Sequence, residues 1–240
     1  MEEKTIAALD KATSQTIQKS AAFGKLMTQV YLWMTFALVI TGLTSGIVAT
    51  NEQLLAIIFA SKATFYGLLI AEFILVVALT ATIEKLSSFT ATLLFILYSM
   101  CTGATMASIF FVFELSSIGQ VFLITAGTFA AMSAIGFITK KDLGSWGKML
   151  LMGLIGIIIA TVVNLFMGSS LLDMVISVVG VGIFVGLTVY DTQKIKLMLM
   201  QYGTEENEMT QKLALMGSLT LYLDFINLFL KLLSLFGKRK

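Results

Sequence analysis

The sequence predicts an all-α polytopic membrane protein with seven transmembrane helices. Hydrophobic residues make up 58% of the 240 residues and charged residues only 12%, whereas a soluble domain has about 25% charged residues. Such a chain cannot cover its surface with polar groups in water. Its apolar residues form seven continuous runs, each long enough to cross a bilayer. The runs do not alternate between apolar and polar residues, which favours helices over a β-barrel.

Short connectors join the seven apolar runs, so we expect one membrane domain over residues 26–240. The predicted spans cover approximately residues 28–49, 64–83, 89–113, 119–139, 147–167, 174–196 and 213–236. Residues 1–25 are polar and rich in Lys, Ser and Thr. A signal peptide would have a short charged start followed by an apolar core. We therefore interpret residues 1–25 as a cytosolic N-terminal tail.

Lysine positions predict the orientation, because cytoplasmic loops of membrane proteins carry an excess of Lys and Arg. The connectors that share a side with the N-terminus are lysine-rich, with Lys140, Lys141 and Lys148 after run four and Lys194, Lys196 and Lys212 after run six. This pattern places the N-terminus in the cytosol. The basic C-terminal residues 238–240 would then lie outside if the last run crosses completely. Either this end is an exception, or the last segment is re-entrant and shielded by protein.

The composition excludes several classes of site. The chain has no histidine and one cysteine, Cys101. A disulfide framework, a Ser-His-Asp triad and a histidine-based zinc site are therefore ruled out. No basic stripe with interleaved aromatic residues is present, so nucleic acid is not an expected partner. We expect no resident cofactor and no enzymatic activity.

Asp224 is the most unusual residue because it lies within the apolar run Leu219–Phe236. A carboxylate at the centre of a transmembrane helix costs about 2.5–3.5 kcal/mol on insertion scales. Asn227 and Lys231 follow at spacings that place them on the same helical face as Asp224. A helix with one polar stripe suits the centre of a bundle. We therefore predict that the last helix is central.

Two further carboxylates lie within apolar runs. Glu72 is half-way along the second run, where a structural hydrogen bond to a neighbouring helix and a functional role are both open. Asp191 lies near the inner end of the sixth run. Its simplest interpretation is a wet helix end that pairs with Lys194 one turn away.

Contact between the Asp191 and Asp224 carboxyl groups would change how both groups bind protons and cations. A simple hairpin leaves them about two turns apart in depth, and tilt or a longer sixth helix would close that gap. Two carboxyl groups in contact would share a proton and titrate as a unit. Carboxylate oxygens are also ligands that Ca²⁺ prefers, so both residues are candidate Ca²⁺ ligands.

Glycines recur at helical spacing in the first and sixth runs. Gly42 and Gly46 form one GxxxG pattern, and Gly182 and Gly186 form another. Such spacing allows close helix–helix approach. We expect ordinary close packing at these glycines.

Two motifs resemble the Bax inhibitor-1 family of membrane proteins. They are GLTVYDTQKIK at Gly186–Lys196 and SLTLYLDFINLFLKLLSLFG at Ser218–Gly237. The TKKDL and IIIATVVNLF segments and Glu72 give weaker support. The resemblance covers residues 25–237, which is nearly the whole chain.

The resemblance implies a fold in which six helices wrap the last one, and a pH-sensitive calcium leak. It implies that Asp191 and Asp224 share a proton and that Glu72 belongs to the same function. Some relatives have a basic residue at the inner end of the second helix that binds the first aspartate. The nearest base here is Lys85, and lysine lacks the bidentate fork of arginine.

The leading hypothesis is a proton-regulated calcium leak channel or transporter in a bacterial cytoplasmic membrane. Its expected partners are the lipid bilayer, Ca²⁺ and protons. The alternative is a non-conducting regulator that binds and restrains a membrane protease or a cell-death or stress complex, as some relatives are linked to those roles. A third possibility, an intramembrane enzyme with an aspartate pair, is not supported by the resemblance.

Overall fold

The computed structural model describes residues 2–59, 61–202 and 207–240, with side chains described from residue 21 onward. These residues form nine helices. Their bounds are α1 Glu2–Thr50, α2 Glu52–Phe59, α3 Lys62–Thr82, α4 Ser88–Met106, α5 Ile109–Val112, α6 Leu115–Ile138, α7 Gly144–Met167, α8 Ser170–Tyr202 and α9 Glu208–Phe236. The prediction of an all-α chain is confirmed.

Seven helical segments within the described residues are long and apolar enough to cross a membrane. They are Ala21–Thr50 of α1, α3, the segment Ser88–Val112 that combines α4 and α5, and α6 to α9. Each of the seven matches a predicted apolar run, and the largest differences lie at the start of the first helix and the end of the sixth. The first helix begins at Glu2, so residues 2–25 continue into the first span as helix. The helix α8 continues to Tyr202 instead of ending near residue 196.

The last helix is central, as predicted. It packs against α1, α4, α6 and α8, and 67% of its most apolar stretch is buried inside the bundle. The corresponding share is 6% for both α3 and α7, which pack mainly on α4 and α8. The expectation that six helices wrap the last one therefore needs a correction, because α3 and α7 lie at the periphery.

The helix α9 runs the full length of the bundle, which favours a complete crossing over the re-entrant alternative for the last segment. At its N-terminal end, the Lys212 ammonium donates hydrogen bonds to the Glu84 and Leu86 carbonyls after α3, both at 3.1 Å. At its other end, the Glu114 amide before α6 donates to the Lys238 carbonyl at 2.9 Å. These two contacts lie at opposite ends of the bundle.

Acidic residues pair with the basic C-terminal tail. The Lys238 ammonium lies 2.8 Å from a Glu114 carboxylate oxygen, and the Arg239 guanidinium lies 4.0 Å from Asp173. The Lys240 amide donates to the Val112 carbonyl at 3.0 Å. These contacts hold the tail at the end of the bundle opposite the lysine-rich connectors. This position matches the first of the two alternatives, in which the basic C-terminus is an exception to the lysine pattern.

The closest helix approaches occur at glycines other than those predicted. A Cβ on Gly103 of α4 would lie 2.6 Å from the Thr41 carbonyl oxygen of α1, and one on Gly136 of α6 would overlap the Val189 carbonyl of α8. Of the four predicted glycines, only Gly186 meets a neighbour, the side chain of Leu150; a Cβ on Gly42, Gly46 or Gly182 would meet no atom within 4 Å. The GxxxG spacing places two glycines on one face of their helix. It does not predict whether another helix packs against that face.

We predict that Gly136→Ala destabilises the bundle, because the added methyl group overlaps the backbone of α8. Overpacking of this kind costs about 1–3 kcal/mol. Thermal unfolding in detergent should show a melting temperature several degrees lower. Gly127→Ala on the same helix is the matched control, since a Cβ there meets no atom within 4 Å. Equal melting temperatures for the two variants would contradict this packing.

Candidate functional site

The structure brings Asp191 and Asp224 together. Their carboxyl groups lie within hydrogen-bonding reach of each other, across the contact of α8 with α9. The extension of α8 to Tyr202 places Asp191 about 16 Å from the end of its helix. A simple hairpin with a short sixth helix left the two residues at different depths, and the longer helix corrects that picture.

Both members of this pair are buried. Asp224 is 5% exposed and Asp191 is 9% exposed, so the interpretation of Asp191 as a wet helix end is wrong. Among the described residues, Asp224 Oδ2 is enclosed and meets no N–H or O–H donor. An ionised carboxylate can only accept hydrogen bonds. One proton shared between the two carboxyl groups would satisfy this arrangement, because the protonated group donates to the other.

Gln193 anchors α8 at the level of the pair. Its amide nitrogen donates to the carbonyls of Thr139 and Lys141, at 3.1 and 2.8 Å, and its amide oxygen accepts from the Leu143 amide at 3.1 Å. These bonds connect α8 to the α6–α7 connector. The sequence interpretation did not single out Gln193, although it lies within the GLTVYDTQKIK motif, two residues after Asp191.

Tyr222 anchors α9 on the opposite side from the pair. Its hydroxyl and that of Thr41 on α1 are hydrogen-bonded at 2.7 Å. Its ring makes edge contacts with Phe95 and Tyr98 of α4, with centroids 5.9 Å apart in both cases. Tyr222 is fully buried, so this contact holds α9 against α1 and α4. The sequence interpretation also missed Tyr222, whose signal is a hydroxyl within an apolar run.

A cavity of about 630 Å³ between α7, α8 and α9 reaches the aspartate pair. Asn227 and Lys231 also line it, so the predicted polar stripe of α9 faces this space. The Asn227 amide donates to the Leu223 carbonyl of its own helix at 2.8 Å. The Lys231 side chain lies across Gly180 of α8, where an added Cβ would come within 3.0 Å of Lys231 Cγ.

Glu72 lies apart from the aspartate pair. It accepts hydrogen bonds from Thr105 and Thr102 of α4, at 2.8 and 3.5 Å, and it does not line the cavity. The hydroxyls of Tyr98 and Tyr222 are within hydrogen-bonding reach of Thr102. Glu72 therefore belongs to a second polar cluster, and it makes the helix–helix hydrogen bond that was one of its two interpretations.

Lys85 is not brought to the pair. It lies in the turn after α3, and its side chain is exposed. Among the described residues it makes no ion pair with Asp191. The base that acts on Asp191 is Lys194, one turn away on α8, whose ammonium lies 6.0 Å from the centre of the Tyr190 ring.

The Asp191–Asp224 pair supplies few ligands for a metal ion. Within the described residues, no group of three or more His, Cys, Asp or Glu side chains could hold a metal. Two carboxylates supply at most four oxygens, whereas Ca²⁺ takes about 6–8. Asp191 and Asp224 alone therefore cannot complete the coordination shell of a resident Ca²⁺ ion.

These features define a class: a polytopic helical membrane protein whose central helix carries a buried carboxyl pair beside a lateral cavity. Residues 24–240 match the sequence model of a family described as inhibitor of apoptosis-promoting Bax1. The chain therefore belongs to the Bax inhibitor-1 family, as its motifs indicated.

Bacterial relatives match over nearly their whole length. The inner membrane protein YbhL of Escherichia coli K12 is 45% identical, and the match covers 93% of this chain and 96% of that protein. A protein from Borreliella burgdorferi is 43% identical over 95% of this chain and 97% of its own. The protein RP147 of Rickettsia prowazekii is 38% identical with the same coverage.

We predict an infrared band from a protonated carboxyl group that decreases as the pH rises, because the shared proton is then lost. In Asp191→Asn and Asp224→Asn the new amide donates to the remaining carboxylate, which then needs no proton. The band should be absent from both variants. Asp173→Asn, at the far end of α8, is the control and should keep it. A band that keeps its full intensity in both pair variants would rule out the shared proton.

Proposed function

We propose that the protein is a proton-regulated calcium leak channel of a bacterial inner membrane, with Asp191 and Asp224 as its regulatory element. The observation that carries this proposal is the contact of the two buried carboxyl groups beside the cavity between α7, α8 and α9. Membership of the Bax inhibitor-1 family supports it. The name and coverage of the Escherichia coli relative support the location, and the lysine pattern supports a cytosolic N-terminus.

The shared proton would hold α8 against α9. When it is lost, two negative charges face each other in a buried position. At a separation of 4 Å and an effective dielectric constant near 20, their repulsion is about 4 kcal/mol. A free-energy change of about 4 kcal/mol shifts an equilibrium about a thousandfold. The protonation state of one pair can therefore decide whether α8 and α9 stay in contact.

Protons and Ca²⁺ would compete for the same carboxylate oxygens. The ionised pair attracts a divalent cation, and carboxylates are suitable ligands for it. Three lysines, Lys148, Lys194 and Lys231, line the same cavity and oppose cation entry. Glu72 lies outside this cavity, so any contribution to an ion path would come through the second polar cluster with Tyr98 and Tyr222.

The direct test is Ca²⁺ flux into liposomes that contain the purified protein, measured over a range of pH. We expect flux that changes with pH in the parent protein and flux independent of pH in Asp191→Asn and Asp224→Asn, because neither variant holds the shared proton. Asp173→Asn is the control and should keep the pH dependence.

Two outcomes would count against the leak. Unchanged, pH-dependent flux in both pair variants would remove the role assigned to the pair. A pure protein with no flux at any pH, together with a membrane protease that co-purifies in stoichiometric amount, would favour the non-conducting regulator.

Lys231 provides a second prediction because it places a positive charge in the cavity that holds the pair. Removing a fixed positive charge from a cation path raises the local cation concentration. We expect Lys231→Met to increase Ca²⁺ flux severalfold, whereas Lys231→Arg should stay close to the parent. Equal flux in the Met and Arg variants would place Lys231 outside the ion path.

A further inference from the structure

The cavity between α7, α8 and α9 has the dimensions of a ligand site. Its volume of about 630 Å³ falls in the usual range of about 300–1,000 Å³ for small-molecule sites. Along α7 it extends from Gly147 to Val162, which corresponds to about 22 Å of helix. The hydrocarbon core of a bilayer is about 30 Å thick, so the cavity starts near one interface and passes the midplane.

One wall of the cavity is apolar and faces the bilayer. The helix α7 contributes Leu151, Leu154, Ile158 and Val162 to the lining, and it packs mainly on α8. Its most apolar stretch is only 6% buried inside the bundle. The gap between α7 and α9 therefore opens sideways, where hydrocarbon chains are the surrounding solvent.

The other distinctive feature is a basic end. Lys148 and Lys194 both line the cavity and are both exposed. They lie at the same level, because the ring of Tyr190, beneath Lys194, is in direct contact with Gly147, the neighbour of Lys148. Trp146 is next to Lys148 and 61% exposed, and exposed Trp is typical of the membrane interface.

Lys148 has no ion-pair partner among the described residues. Lys194 acts on the buried Asp191 but keeps its ammonium group at the surface. Two cations at an interface, next to the apolar α7 wall of the cavity, are complementary to a molecule with an anionic head and a hydrocarbon tail.

We propose that this cavity binds an anionic phospholipid. Its phosphate group contacts Lys148 and Lys194, and one acyl chain lies along the α7 wall past the aspartate pair. A water-soluble anion would leave the apolar wall uncovered, and a zwitterionic lipid would not neutralise the two lysines. The bound chain would separate the pair from the bilayer and limit the access of water to it. This site does not depend on the calcium leak, since it rests on the lining and charge of the cavity alone.

Native mass spectrometry of the delipidated protein tests this site with phosphatidylglycerol and phosphatidylcholine of identical acyl chains. We expect one tightly bound phosphatidylglycerol and much weaker binding of phosphatidylcholine. Lys148→Gln should weaken phosphatidylglycerol binding about fivefold, and the additional change Lys194→Gln should weaken it by a similar factor. Lys140→Gln is the matched control, because Lys140 is exposed at the same end of the bundle but outside the cavity.

Two further probes distinguish the contribution of the lipid headgroup to binding from that of the acyl chain. A short-chain phosphatidylglycerol and inorganic phosphate should each fail to displace the long-chain lipid, because neither fills the apolar wall. Equal binding of the two long-chain lipids, equal binding by the Lys148 and Lys140 variants, or displacement by inorganic phosphate would each overturn the proposal. Thermal unfolding without lipid confirms that the variants are folded, and the parent's preference between the two lipids tests the site without any substitution.

Discussion

The contact between the Asp191 and Asp224 carboxyl groups is the constraint on which the rest of the structure depends. Two carboxyls inside a membrane must be kept from lipid and must satisfy each other. The first requirement explains why α9 is the most buried helix, with α1, α4, α6 and α8 packed around it. The second is consistent with the anchoring of both partner helices by other side chains, Gln193 on α8 and Tyr222 on α9.

The anchors differ in kind on the two sides of α9. On one side, Tyr222 and Thr41 form a fully buried contact with α1 and α4. On the other side, α8 is anchored by Gln193 to a connector, and the cavity leaves part of the interface with α9 unfilled. A change in charge at the pair would therefore act mainly between α8 and α9, and a lipid in the cavity would act on the same interface.

The seven spans and the central position of α9 could be predicted from the sequence, because run length and a buried carboxylate each have a direct energetic meaning. The meeting of Asp191 with Asp224 could not be derived from spacing, since it depends on how far α8 continues past residue 196. The packing glycines were also missed, because Gly103 and Gly136 face neighbours that only the tertiary structure identifies. Lys85 and Lys212 both lie near the C-terminal end of α3. The Lys85 side chain is exposed there, whereas the Lys212 ammonium donates to backbone carbonyls of the turn. The sequence alone does not distinguish these two arrangements.

The most direct test of the shared proton is the distance between the Asp191 and Asp224 carboxyl oxygens in crystals grown at low and at high pH. The proposed mechanism predicts an O···O distance of about 2.5–3.0 Å at low pH, as in a hydrogen bond between oxygens. At high pH the carboxyl groups should separate well beyond that range. An identical distance at both pH values, or a separation beyond hydrogen-bonding reach in both, would contradict regulation by this pair.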